Sequence, residues 1–218
     1  MAIKIIDYKA GNAPSVLHAT NRLGYAAEFA SHPQDLADAT HIILPGVGSA
    51  QATMDSLREQ GLITALEDAV LHRDVFFLGI CVGMQILFQH SEEDDADCLG
   101  WLKGQVVKFD ASQVRVPQMG WNEVRFVKEG VLDNVTDDAS GNARGDSARD
   151  FFYFVNSYFA RPVDKSDIWG IAEYGDPFTA AVCRDNIFAT QFHLEKSGEA
   201  GLALLDRFLS LTKEETPC

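Results

Sequence analysis

The chain has 218 residues, 46% of them hydrophobic and 23% charged, a composition typical of a globular protein with one sizeable core. Its 32 acidic and 18 basic residues leave a net charge of −14, which disfavours nucleic acid and anionic membranes as partners. No apolar run approaches the roughly 20 residues that span a bilayer, and the N-terminus is typical of a first strand, not of a signal peptide. We therefore predict one cytoplasmic domain over residues 1–218.

Hydrophobic patterning in the first ninety residues alternates between strand and helix. The predicted strands cover 2–7, 26–30, 41–44 and 75–78, and the predicted helices cover 13–23, 50–60 and 62–72. Such alternation indicates an α/β fold with a mostly parallel central sheet, right-handed crossovers and flanking helices. Ligands of such sheets bind at the carboxyl ends of the strands.

The third predicted strand runs into a glycine-rich turn, Pro-Gly-Val-Gly-Ser at residues 45–49. A glycine-rich turn at a strand end can direct backbone N–H groups towards a ligand. An ordinary loop between a strand and a helix would have a similar composition, so this turn alone does not establish a binding site.

The fourth predicted strand ends in Gly79-Ile80-Cys81-Val82-Gly83, and a helix-like run follows at 84–88. Gly-x-Cys-x-Gly between a strand and a helix is the cysteine form of the nucleophile elbow, a sharp turn whose glycines let the flanking backbone pass. At a helix N-terminus the unpaired N–H groups favour the thiolate form of Cys81. The alternative is a buried cysteine in a tight turn without any catalytic role.

The pattern changes after residue 100 to short strands, which predicts mixed or antiparallel sheet in the same domain. The predicted strands cover 105–109, 123–127, 151–155, 168–174, 179–183 and 186–192. The polar stretch 133–150 is predicted to be an exposed, mobile loop. Apolar residues at helical spacing predict a final helix over 199–211 that packs against the sheet.

A catalytic cysteine requires a base, and His193 is the best placed of the six histidines because it ends a strand and precedes Glu195 by two residues. Residues i and i+2 of an extended chain point to the same side, so both side chains can face one cleft. A carboxylate there would orient the imidazole; the alternative is a salt bridge at a strand end. The other histidines are interpreted as surface or capping residues: His18, His32, His41, His72 and His90.

The four cysteines show no paired spacing and no Cys-x-x-Cys sequence, so neither a disulfide framework nor a zinc site is expected. We predict no metal and no cofactor. The residues are Cys81, Cys98, Cys183 and Cys218.

Several segments occur together at 6–12, 44–48, 78–85, 116–122 and 190–198. With them the chain resembles the class I glutamine amidotransferases, and within these the family of glutaminase subunits of imidazole glycerol phosphate synthases. The similarity covers nearly the whole chain, and Pro-x-x-Gly-Trp-Asn at 117–122 and Glu-Lys-Ser-Gly at 195–198 are its more specific parts. It implies the three-layer class I glutamine amidotransferase fold.

The resemblance also implies a reaction, the hydrolysis of glutamine to glutamate and ammonia. Cys81 would be the nucleophile, His193 the acid and base, and Glu195 the group that orients the imidazole. The backbone N–H groups of Val47 and Val82 would stabilise the oxyanion. The substrate would be held by Gly48, Gln85, Glu93, Ser157 and Tyr158.

A partner is implied as well, a (β/α)₈-barrel cyclase subunit that receives the ammonia in histidine biosynthesis and forms a heterodimer with this chain. The residues assigned to the interface are Asn12, Gln118, Trp121, Asn122, Tyr153 and Lys196. The family further implies that the oxyanion turn 46–49 must flip, so that the glutaminase is nearly silent until the partner carries its ligand. On sequence alone, Glu93 could be a solvated member of an acidic run, and Trp121 could be a core residue.

Three positions depart from the common family pattern, in which histidine, histidine and proline are frequent. They carry Gln118, Asn156 and Leu194. Leucine at 194 frees a backbone torsion that proline would fix, which leaves room for a looser geometry between His193 and Glu195.

Three other functions remain open. A paralogous amidotransferase could feed ammonia to another synthase, such as one that amidinates a surface sugar. An idle binding subunit is disfavoured by the intact Cys81, His193 and Glu195, and a cysteine peptidase is disfavoured by Gln85 and Glu93, which suit a small free amino acid.

Overall fold

A computed structural model describes residues 1–9, 12–128 and 149–214. The helices are α1 (Ala13–Arg22), α2 (Ala50–Glu59), α3 (Leu62–Glu67), α4 (Val82–Gln85) and α5 (Gly198–Leu209). The strands are β1 (Ile3–Ile6), β2 (Ala27–Ala30), β3 (His41–Gly46), β4 (Phe76–Cys81), β5 (His90–Ser91), β6 (Ala96–Asp97), β7 (Gly104–Lys108), β8 (Gln118–Phe126), β9 (Arg149–Asn156), β10 (Tyr158–Pro162), β11 (Ile168–Tyr174), β12 (Asp176–Arg184) and β13 (Ile187–Thr190).

The strands form one sheet in the order β2-β1-β3-β4-β13-β12-β10-β7-β5-β6, with β11, β8 and β9 branching from β12. The first five strands in this order are mutually parallel. From β12 onwards the pairing is antiparallel apart from β5 with β7. The α/β fold with a parallel centre and an antiparallel second half is therefore confirmed.

Helices cover the parallel strands in two groups. Helix α1 packs with α5, and helix α2 packs with α3 and α4. Strands β3 and β4 are buried along their whole lengths, as expected for parallel strands with helices on both faces. This arrangement brings the ends of β3, β4 and β13 together at one edge of the sheet.

Two predicted segments differ from the structure. The loop predicted over 133–150 lies outside the described residues up to 148, whereas Arg149 and Asp150 already belong to β9. The helix expected after the elbow is only Val82–Gln85 long. After the last α-helical bond, from Ile86 to Val82, the N–H groups of Leu87 and Phe88 donate three residues back, and the chain then enters the short strand β5.

His41 is buried, with 2% of its surface exposed, so the prediction of a surface or capping role is wrong for this residue. Its ring lies 5.1 Å from that of Phe76 and 5.5 Å from that of Phe208. Nδ1 is 3.0 Å from the hydroxyl of Thr40, and Nε2 has no hydrogen-bond partner among the described residues. Burial lowers the pKa of His41 to about 4, because charge on the ring would be desolvated.

We expect this histidine to weaken the fold in acid. Because the folded pKa lies below the ordinary value of 6.5, the neutral ring stabilises the fold fully above pH 6.5, and that contribution is lost as the pH falls towards 4. The loss amounts to at most about 3 kcal/mol. His41→Phe keeps the aromatic packing and should flatten the decline in unfolding free energy between pH 6.5 and 4.5, measured by urea denaturation. His18→Asn, on the exposed face of α1, is the control and should keep the wild-type slope.

Candidate active site

Cys81 lies at the junction of β4 and α4 in a strained backbone conformation. Its φ is 56° and its ψ is −106°, a region that residues other than glycine rarely occupy. Such strain persists only where the surrounding structure holds it, and it concentrates at functional sites. The conformation is that of the nucleophile elbow predicted from the sequence.

The glycines on either side of Cys81 are required by close backbone contacts. A Cβ on Gly79 would lie 2.5 Å from the carbonyl oxygen of Gly83, and a Cβ on Gly83 would lie 2.0 Å from that of Leu44. Neither backbone atom can move away as a flexible side chain could. The turn at Cys81 can therefore form only with glycine at both positions.

His193 and Glu195 form a buried pair close to this turn. Strand β13 runs parallel to β4, with Thr190 opposite Ile80, so the segment after β13 follows the same edge of the sheet as Cys81. Nδ1 of His193 and Oε1 of Glu195 are 2.7 Å apart, and the two side chains are 0% and 1% exposed. The structure thus brings all three predicted catalytic residues together.

The electrostatics of this pair favour two charged partners. Burial lowers the pKa of His193, but hydrogen bonding and charge interaction with Cys81 and Glu195 outweigh it and raise that pKa. Burial raises the pKa of Glu195, but its hydrogen bond and charge interaction with His193 outweigh this and lower it. The ring of His193 interacts with Cys81, but within the described residues its Nε2 makes no hydrogen bond of regular geometry, so this interaction is not an aligned hydrogen bond. Such misalignment is common before substrate binds.

The route by which Glu195 reaches His193 differs from the prediction. An extended chain was expected, whereas residues Leu194–Lys196 form a 3₁₀ turn that starts at His193. The hydroxyl of Ser197 stabilises this turn, because it donates to the carbonyl of His193 at 2.6 Å and accepts from the N–H of Tyr153 at 2.9 Å. The short contact between imidazole and carboxylate shows that leucine at 194 does not loosen the pair.

Asn12 contacts the carboxylate from a distant part of the chain. It was predicted to lie at a partner interface, but it is 4% exposed and its Nδ2 donates to Oε1 of Glu195 at 3.3 Å. Asn12 and Glu195 are 183 residues apart in the sequence, so no local sequence pattern predicts this contact. Asn12 thus helps to hold the carboxylate that contacts His193.

The expected oxyanion residues lie on both sides of the nucleophile. Gly46, the last residue of β3, pairs with Cys81, so Val47 follows directly beside the turn. Val82 is the first residue of α4. Val47 is 37% exposed, and Gly48 has a φ of +107° with no heavy atom within 4 Å of a Cβ position, so this turn has room to change conformation.

A cavity of about 240 Å³ opens beside Cys81. Its lining includes the nucleophile and all five residues predicted to hold the substrate. The lining residues are Gly48, Cys81, Val82, Gln85, Glu93, Pro117, Val155, Asn156, Ser157 and Tyr158.

Glu93 differs from its acidic neighbours, which the sequence could not show. It is partly buried, and its Oε2 accepts a hydrogen bond from the N–H of Ala50 at 3.2 Å, whereas Glu92, Asp94 and Asp95 are exposed. Burial raises its pKa, and the hydrogen bond from Ala50 partly offsets this. Glu93 is therefore a carboxylate placed inside the cavity, not part of a solvated face.

A larger cavity of about 340 Å³ lies elsewhere, and its lining includes Phe109, Phe159 and Phe178 together with Lys108 and Arg161. Its lining contains no cysteine and none of the three triad residues. We therefore assign the site by its chemistry and not by cavity size.

The residues predicted for a partner interface divide into exposed and buried ones. Trp121 is 57% exposed, with its ring 6.2 Å from that of Tyr153, and Lys196 is exposed. Asn122 is partly buried and its Nδ2 donates to the carbonyl of Glu173 at 2.8 Å. Gln118 is only 3% exposed, so its side chain contributes little surface to this face.

Trp121 belongs to an apolar patch on the hairpin formed by β8 and β9, which excludes the core role considered for it. Met119 and Phe151 are 65% and 55% exposed on the same hairpin. We call Met119, Trp121, Phe151 and Tyr153 the hairpin patch.

Over the ranges that the structure describes, no helix combines the length and apolar character needed to cross a membrane. In the same ranges no three His, Cys, Asp or Glu side chains are grouped so that they could hold a metal ion.

Sequence comparison supports a family for the chain. The family model for glutamine amidotransferase class-I matches residues 4–211. The imidazole glycerol phosphate synthase subunit HisH of Leptospira interrogans is 41% identical over 213 residues, which cover 96% of this chain and 100% of that protein. The corresponding subunit HisH 1 of Campylobacter jejuni strain RM1221 is 40% identical, with 96% of this chain and 100% of that protein covered.

Solved structures agree in fold. A glutamine amidotransferase crystal structure superposes with a TM-score of 0.70 at 19% identity, covering 95% of this chain and 96% of that one. A structure of PurLQS from Thermotoga maritima gives a TM-score of 0.72 at 16% identity, covering 95% and 97%. From the match over nearly all of the chain and the elbow built around Cys81, it follows that this protein belongs to the class I glutamine amidotransferase family, and within it to the imidazole glycerol phosphate synthase subunits HisH.

Proposed function

We propose that this protein hydrolyses the side-chain amide of glutamine and passes the ammonia to a cyclase subunit of imidazole glycerol phosphate synthase. One observation carries the proposal: the strained cysteine turn lines a cavity that also contains the carboxylate of Glu93, and the buried pair of His193 and Glu195 lies behind Cys81, with which His193 interacts. The 41% identity to a HisH subunit over the whole of that protein supports the pathway.

The reaction would begin at the sulfur. The thiolate of Cys81 attacks the amide carbon of glutamine, and the negative charge moves to the amide oxygen. His193, whose pKa is raised, supplies the proton that lets ammonia leave. Glu195 keeps Nδ1 of the ring occupied, so that Nε2 is the nitrogen directed at the reacting atoms.

The oxyanion would be held by the backbone N–H groups of Val82 and Val47. One such donor lowers the barrier by about 3 kcal/mol. The thioester that forms on Cys81 is then hydrolysed by water, which gives its proton to the same imidazole. Glutamate leaves, and the thiolate–imidazolium pair is restored.

Glu93 would bind the α-ammonium group of the substrate. A partly buried carboxylate in a cavity next to the nucleophile suits a cationic group at the far end of a small amino acid. The remainder of the substrate would lie against the backbone of Gly48, Ser157 and Tyr158 and against Gln85.

Ammonia must reach a synthase before it is lost to water, so the subunit needs a docked partner. We infer that this is the (β/α)₈-barrel cyclase and that the hairpin patch, with Asn122 and Lys196, takes part in the contact. Exposed aromatic side chains at the centre of a patch are typical anchors of protein interfaces. We also infer that the turn at Val47 and Gly48 is the element that a liganded partner rearranges.

The test is glutaminase activity measured with and without the candidate cyclase and its nucleotide ligand. We expect strong stimulation that requires both partner and ligand, because the oxyanion turn is completed only in that complex. Full activity in the isolated subunit would contradict the gate. Stimulation by a different synthase, and none by the cyclase, would contradict the pathway.

A further inference from the structure

Two buried glutamine side chains connect the nucleophile to strand β10, and the mechanism above does not use these contacts. Nε2 of Gln85 donates to the carbonyl of Tyr158 and to Oε1 of Gln191, both at 3.1 Å. Nε2 of Gln191 in turn donates to Sγ of Cys81 at 3.6 Å. The two glutamines are 3% and 0% exposed, so water does not compete for these bonds.

The carbonyl of Tyr158 fixes the direction of every hydrogen bond in this series, from Gln85 to Gln191 and on to Cys81. The carbonyl of Tyr158 can only accept, so Gln85 must present its NH₂ group there. That NH₂ group also faces Gln191, which must therefore present its oxygen. The NH₂ group of Gln191 is left to face the sulfur of Cys81.

The donor at Gln191 is also held in place by its backbone. Its N–H donates to the carbonyl of Ala180 in β12 at 2.8 Å. An N–H group bonds more strongly to an anionic acceptor than to a neutral one. A fixed donor aimed at sulfur therefore favours the thiolate over the thiol and holds the side chain of Cys81, whose own backbone is strained.

We propose that Gln191 is a positioning residue that holds Sγ of Cys81 and stabilises its thiolate, with Gln85 setting its orientation. This deepens the proposed function and rests on it for the consequence in glutamine hydrolysis. The contact between Gln191 and Cys81 exists in the protein without substrate, so it can be tested without substrate.

Two variants separate the hydrogen bond that Gln191 donates to Cys81 from the packing of its side chain. Gln191→Glu keeps an oxygen for Gln85 but offers the sulfur no N–H, whereas Gln191→Met keeps the approximate volume and removes both polar groups. The readout is the rate of Cys81 alkylation by iodoacetamide in the full-length protein between pH 5 and 10, followed by peptide mass spectrometry. We expect both variants to react about tenfold more slowly at pH 7, the effect of losing one hydrogen bond to the sulfur.

Gln51→Met is the matched control, because Gln51 lies on α2, where its Nε2 donates to Oδ1 of the exposed Asp55 at 2.8 Å. It should alkylate as the wild type does. Thermal unfolding of each variant reports packing separately. If both Gln191 variants follow the wild-type alkylation curve, even with lowered melting temperatures, Gln191 only fills space and the proposal is wrong.

The glutaminase assay distinguishes a failure of the positioning role of Gln191 from a failure of the proposed function. A wild-type complex without glutaminase activity would refute the function and leave the alkylation result intact. A fully active wild type whose alkylation does not depend on Gln191 would refute only the positioning role. In active complexes, Gln191→Glu should lower kcat more than it changes KM, since the lost bond is to the nucleophile.

Discussion

Replacing Cys81 with alanine is expected to lower glutamine hydrolysis by at least roughly 10⁴-fold, because no other group can form the thioester. Alanine retains the Cβ and can occupy the same strained turn, so the fold should survive. Glutamate release in the complex with the cyclase and its ligand measures the effect, and thermal unfolding checks the fold.

Cys98→Ala is the matched control. The thiol of Cys98 is partly buried, and burial raises its pKa to about 11, so it is a poor nucleophile at neutral pH. Activity should stay within about twofold of wild type. Because members of a catalytic unit are not additive, Cys81→Ala/His193→Ala should be no slower than Cys81→Ala alone. A Cys81→Ala protein that keeps one per cent of the activity or more would rule out the covalent route.

The parallel half of the fold could be predicted closely because burial and sequence agree there. Strands β3 and β4 are buried from end to end, and their continuous apolar runs end in glycine-rich turns that stop the strand. The predicted strand 41–44 is extended in the structure to Gly46, because Pro45 and Gly46 still pair with Ile80 and Cys81. Local pattern and global topology specify the same structure in this region.

The antiparallel half was harder to predict. Strand β10 is missing from the sequence prediction, because only Ser157 separates it from β9. At that residue the chain leaves its pairing with β8 and pairs with β7 instead. A change of pairing partner leaves no turn signal in the sequence, since it depends on where the other strands lie.

The same distinction applies to the site. The glycines around Cys81 and the spacing of His193 and Glu195 are local features, so the sequence contained them. The contacts of Asn12 with Glu195 and of Gln191 with Cys81 join segments 183 and 110 residues apart and exist only after the sheet has formed. One signal for Gln191 was available: it precedes His193 by two residues, at the same strand end.

The second large effect is expected for Glu195→Gln, which should lower kcat by roughly 10² to 10⁴-fold with little change in KM. Oε1 of the carboxylate accepts a hydrogen bond from the Nδ1–H of His193, with 2.7 Å between the two atoms, and the carboxylate stabilises the charged ring. A glutamine can instead present its NH₂ group to Nδ1, which would move the ring proton to Nε2, the nitrogen that must exchange protons with sulfur and ammonia.

The pKa of His193 provides a second measurement for the same variant. Glu195 is one of the groups that raise this pKa against the opposing effect of burial, so its loss should lower the pKa. Titration of the His193 ring by NMR in wild type and Glu195→Gln tests that shift directly. The imidazolium should then be lost at a lower pH, and the alkaline limb of the kcat profile should move in the same direction.

Asn12→Ala separates the effect of the charge of Glu195 from the effect of the hydrogen bond that Asn12 donates to it. It removes a hydrogen bond of 3.3 Å to the same carboxylate oxygen and leaves the negative charge in place. Activity should fall by only about tenfold, the lower end of the range for a hydrogen bond to a charged group, because 3.3 Å is a long contact. If Asn12→Ala were as damaging as Glu195→Gln, or if Glu195→Gln stayed within threefold of wild type, the carboxylate would not be the group that orients His193. In that case the placement of the imidazole would have to come from the turn held by Ser197 alone.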